Sequence, residues 1–99
     1  MQSHYPEQFE RDMACTQTEW LAWLPQAVGE YAWRIDGQTA HVQLAQGSLL
    51  LTWQVLPART IALLRLPRLG VRFEFTQTHA QERQQFMRRF DLTTQRGGG

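Results

Sequence analysis

A chain of 99 residues, 42% hydrophobic and with eleven aromatics, has room for one hydrophobic core and not two, and it is too apolar to stay disordered. Its single cysteine, Cys15, excludes a disulfide framework and a zinc-ribbon spacing. The formal net charge of +1 conceals an asymmetry: residues 1–50 hold six acids and two Arg, a net of −4, whereas residues 51–99 hold three acids and eight Arg, a net of +5. Such halves can meet an anionic partner, or neutralise each other in the fold, which is the commoner outcome.

The segment 6–28 reads as helical. Phe9 and Met13 stand one turn apart behind Pro6, which predicts a short helix over Pro6–Met13. Thr16 and Glu19 have capping-box spacing, and the helix they open carries Trp20, Leu21 and Leu24 on one side. Trp23 points about a quarter-turn away; Pro25 is expected to end or kink this helix, and Gly29 to close the segment.

From Glu30 to Thr76 the period becomes two. Tyr31, Trp33 and Ile35 alternate with polar or small residues, as do Ala40, Val42 and Leu44, then Leu49, Leu51, Trp53 and Val55, then Val71, Phe73 and Phe75. Arg59–Leu66, the least alternating run, completes five predicted strands over residues 30–76. Turn signals at Asp36-Gly37, Gln46-Gly47, Pro57-Ala58 and Pro67–Gly70 leave no room for a parallel crossover. Residues 78–91 read as a helix capped by Thr78 with Phe86, Met87 and Phe90 as its buried stripe, and 93–99 as a flexible tail. The expectation is a single α+β domain: a five-stranded antiparallel meander with N-terminal helices and a C-terminal helix on one face.

The stretches Ala14-Cys15-Thr16 through Glu19-Trp20-Leu21-Ala22-Trp23-Leu24-Pro25, and Phe86-Met87-Arg88-Arg89-Phe90-Asp91-Leu92 through Gly99, resemble the ends of small uncharacterised bacterial proteins of about this length. The resemblance implies no activity, cofactor or site.

Catalytic and cofactor chemistry finds little to use. Cys15 is better read as a buried thiol than as a nucleophile for His4, His41 or His79, and these histidines lack a paired ligand spacing, so no metal or cofactor is expected. No glycine-rich loop joins a strand to a helix. The arginines of the last helix and hairpin offer phosphate contacts, but the strand aromatics belong to the covered face, which disfavours nucleic acid. Terminal Gly97–Gly99 invites comparison with ubiquitin-like carriers, yet those chains reach their tail from a strand. Acids within Met1–Asp12 and the lack of a long apolar run predict a cytoplasmic protein outside the membrane. What remains is a non-catalytic module that binds a protein partner or its own copy, with Trp23, Arg83, Arg88 and Arg89 as the expected contact surface. The alternative is a small apolar-ligand carrier whose pocket is lined by Trp53, Phe73, Phe75 and Phe86.

Overall fold

In the computed structural model, which describes residues 4–96, the elements run β1 (Gln8–Met13), α1 (Gln17–Val28), β2 (Ala32–Asp36), β3 (Thr39–Gln43), β4 (Ser48–Ile61), β5 (Leu64–Thr76) and α2 (Ala80–Arg96). All five strands form one antiparallel sheet in the order β1-β5-β4-β3-β2. The fold is α+β, and both helices meet the same sheet face: Trp20 of α1 packs edge-on to Trp53, and Phe90 of α2 edge-on to Phe73.

The covered face is built from alternation. Val42, Leu49, Leu51, Trp53, Val71, Phe73 and Phe75 are buried, and Phe86, Met87 and Phe90 of α2 close over them. Trp33 is only partly buried and Ile35 is exposed, because β2 lies at the sheet edge, beyond the reach of the helices. The opposite face carries Arg34, His41, Gln43, Thr52, Gln54, Arg72 and Glu74.

The predicted helix over Pro6–Met13 is instead strand β1, paired with β5 so that Phe9 faces Phe73, Arg11 faces Val71 and Met13 faces Leu69. A spacing of four is even, so it suits one face of a strand as well as one turn of a helix. The intervening Arg11 shares that inward face and points at Asp91 of α2. With β1 supplying the fifth strand, residues 30–76 hold four strands rather than five. Arg59–Leu66 is the end of β4, a turn at Ala62-Leu63 and the start of β5.

The capping box at α1 forms as expected: Thr16 Oγ1 accepts from the Glu19 amide, and the Glu19 carboxylate accepts from the Thr16 amide. Pro25 does not stop the helix. It lies on the exposed side one turn after Leu21, whose carbonyl loses its helical donor where water can replace it. Leu21 is accordingly exposed, and the buried stripe is Trp20, Leu24, Ala27 and Val28. Helix α2 continues past residue 91 to Arg96, with Thr94 buried and its hydroxyl donating to the Phe90 carbonyl. Residues 93–96 are therefore helical rather than tail; Gly97–Gly99 lie outside the described residues.

Candidate functional site

Strands β4 and β5 outrun the rest of the sheet. β3 stops pairing with β4 at Thr52, and β1 stops pairing with β5 at Leu69, so among the described residues Gln54–Ile61 and Leu64–Arg68 ladder with each other alone. They form a two-stranded arm at one end of a molecule 46 Å long. Cross-strand partners share a face. The pairs Ile61–Leu64, Arg59–Leu66 and Leu56–Arg68 thus lie on one face, while Thr60–Arg65 and Val55–Leu69 lie on the other. The first face is apolar and open to water: Ile61 is 51% exposed, Leu64 64%, Leu66 37%, and Leu63 at the apex 101%. An isolated exposed leucine needs no explanation, but a contiguous cluster on a projecting hairpin marks an interaction site.

The charges around this face are arranged. No acid occurs between Asp36 and Glu74, so the acid that serves the arm comes from β1. Asp12 accepts from Arg68 Nε at 2.9 Å and Nη2 at 2.6 Å and lies 3.6 Å from Arg59 Nη2. The Arg68 hydrogen bond holds the Asp12 carboxyl below its ordinary range, with the charges of Arg68 and Arg59 adding to it. Neutralisation between the two halves of the chain does occur, across β1 and β5 rather than between helices. Pro57 and Pro67 fall at the register shift between Leu56 and Arg59, where pairing skips residues. A proline has no N–H, so each strand of the arm lacks one backbone donor there.

The apex turn is strained. In the β2–β3 hairpin the first turn residue is Gly37, at φ 63°; in the arm the corresponding position is Ala62, at φ 54°. An L-residue with a Cβ is disfavoured there. Replacing Ala62 by Gly should raise stability by about 0.5–1 kcal/mol, the relief of strain outweighing the extra freedom of the unfolded chain. A melting temperature lowered by this change would show that the turn is not strained.

The residues singled out from the sequence do not converge. Trp23 is half-buried against the core. Arg83 is buried, donating from Nε to the Tyr5 carbonyl at 2.8 Å and from Nη1 to the Thr78 carbonyl at 2.9 Å. Arg89 is exposed but donates to the Gln26 carbonyl at 3.2 Å near the end of α1, where a cation complements the helix dipole. It lies so close to Gly29, which has φ 74°, that a Cβ there would come within 2.8 Å of its Cζ. Arg88 is exposed on α2. The four rings assigned to a ligand pocket are all buried among other rings: Trp53 against Trp20, Phe73 against Phe9 and Phe90, Phe75 against Phe86. A depression of about 560 Å³ at the root of the arm is lined in part by Trp53, with Asp12, Gln54, Arg68 and Arg72, and another of about 450 Å³ along the strands is lined in part by Arg34 and His41. The arm itself escaped sequence reading. Its available signal was four aliphatics among Ile61–Leu66 with only Arg65 to interrupt them.

Catalytic chemistry gains nothing from Cys15. The thiol is buried, and burial, with the Glu19 carboxylate behind it, pushes its pKa from 9.0 to about 11. A nucleophilic cysteine needs the opposite shift. Burial also raises the Tyr5 phenol, helped by its hydrogen bond to Asp91. Both groups keep their protons longer folded than unfolded, so the stability they contribute is lost as pH rises: for Cys15 from 9 toward 11, and for Tyr5 only from 10 upward. For Cys15 the loss is about 2–3 kcal/mol. A thermal melt series from pH 7 to 11 should fall steeply above 9, and less so in Cys15→Ala; a flat series would disprove it. Among the described residues no cluster of three or more His, Cys, Asp or Glu is placed to hold a metal, and no helix is long and apolar enough to cross a membrane.

No protein-family model matches the chain, and no curated protein or solved structure matches it either.

Proposed function

We propose that this chain is a non-catalytic protein-binding or assembly module, working in the cytoplasm, whose contact surface is the apolar face of the β4–β5 arm. The exposed cluster of Ile61, Leu63, Leu64 and Leu66 on a projecting hairpin carries this reading. Aliphatic side chains on a surface gain free energy only by being covered, and a protein partner covers them with matching shape. Nucleic acid is disfavoured because Arg68 is engaged with Asp12, and Arg72 lies 3.6 Å from Glu74.

The decisive experiment compares a tagged wild-type chain with Leu63→Ser/Leu64→Ser as bait in a lysate of the native host that also holds untagged chain. Capture of a partner, the untagged copy included, should depend on the two leucines. Equal capture by both baits, or capture by neither, would defeat the reading.

A small apolar-ligand carrier has one observation in its favour. The indole N–H groups of Trp20 and Trp53 are buried with no hydrogen-bond acceptor among the described residues, and a bound carbonyl would satisfy them. Tryptophan emission that shifts on adding apolar carbonyl compounds would support a carrier; unchanged emission would remove it.

A further inference from the structure

We propose that the apolar face of the arm is an interface between two copies of this chain, packed face to face about a two-fold axis. The proposal rests on the binding-module reading and names its partner.

Self-recognition needs a patch that can meet itself. Ile61, Leu64 and Leu66 share one face with the apex Leu63 beside them, and a leucine-rich surface is complementary to its own copy. Like charges would oppose such a meeting, and Asp12 offsets them in part. It pairs with Arg68 at the root of the arm and lies 3.6 Å from Arg59, which sits across from Leu66 on the apolar face, while Arg65 lies on the opposite face across from Thr60. An acidic peptide or an anionic lipid surface would call for the reverse arrangement, with arginines uncompensated around the leucines.

The arm projects past the strands that flank it, so two arms can meet without bringing the helical layers together. A face-to-face pair about a two-fold axis uses the same patch on both copies, so association through this face closes at two copies. The four exposed aliphatics leave roughly 400 Å² per copy in water; with Leu56 and the arginine stems at the margin, a pair buries on the order of 1,000 Å², the lower end for a specific complex. An interface at that end of the range belongs with weak, transient complexes, so a dissociation constant in the micromolar range is expected.

Sedimentation equilibrium of the full chain, from about 1 to 500 µM, brackets that constant. The wild type should pass from monomer to dimer across the series. Leu64→Glu brings two carboxylates together at the centre of the pair and should weaken association at least tenfold. Ile61→Glu should do the same. Both side chains are exposed, so the melting temperature of each variant reports whether the monomer is intact. A wild type that stays monomeric at the highest concentration would overturn the proposal, as would a dimer that both variants leave unchanged. Anionic vesicles of phosphatidylserine and phosphatidylcholine form a further arm: co-sedimentation lost in Leu64→Glu, with a monomeric wild type, would assign the face to a membrane. Failure here is separable from failure of the module reading. A monomer that captures a different protein through Leu63 and Leu64 overturns the two-copy proposal alone.

Discussion

Phe73→Ala should lower the free energy of unfolding by about 3–5 kcal/mol, a large part of the 5–10 kcal/mol expected for a domain of this size. Phe73 is fully buried at the centre of the covered face. Its ring stacks on Phe9 of β1 at 4.6 Å between centroids and meets Phe90 of α2 edge-on at 5.3 Å. Deleting it removes apolar burial and two aromatic contacts, and it opens a cavity that three separate elements would have to collapse into. Urea unfolding of wild type and variant would measure the loss. A change under about 1 kcal/mol would mean that Phe73 does not occupy the core and that the register of β5 is different.

The sheet was legible because alternation is a local signal: each of β2 to β5 shows at least part of its inward set at every second position. The exceptions fail for identifiable reasons. In β1 the inward set is Phe9, Arg11 and Met13, and a charged residue in the middle of an inward run breaks the pattern. Arg11 can face inward only because Asp91, eighty residues later, meets it, and no local rule contains that fact. The apex turn was hidden by Ala62 and Leu63, which occupy a site where glycine or asparagine would have advertised it. Pro25 misled because the rule for proline presumes that the lost hydrogen bond matters, and on the exposed side of α1 it matters little.

Surface residues were less legible than core residues. Sequence places four arginines in α2, but tertiary neighbours decide that Arg83 turns inward to the Tyr5 and Thr78 carbonyls while Arg89 reaches across to α1. The arm was not legible, because the expected turns at Pro57-Ala58 and Pro67–Gly70 lie within β4 and β5, and the strand expected between them is the tip of the hairpin. Its exposure follows from the lengths of β4 and β5 relative to β1 and β3, and length mismatch is a property of the assembled sheet.

The buried polar cluster gives the second large expected effect. Asp91 accepts from the Tyr5 hydroxyl at 2.7 Å and from both terminal nitrogens of Arg11, whose guanidinium lies over the rings of Tyr5, Phe9 and Phe73 at 5.5–5.9 Å. These contacts strap the N-terminal segment and β1 to α2. Asp91→Ala should cost about 2–4 kcal/mol, because it strips the counter-charge from a largely buried guanidinium and the acceptor from a buried phenol. Hydrogen exchange should then quicken first in β1, an edge strand paired with β5. Pairing Asp91→Leu with Arg11→Met should recover the part of the loss that comes from the unpaired charge, since an apolar pair carries no desolvation penalty, but not the part that comes from the Tyr5 phenol, which stays without its acceptor. Full additivity of the two single substitutions would show that Arg11 and Asp91 act independently, and the strap would then be the work of Arg83 and the Phe9–Phe73 stack alone.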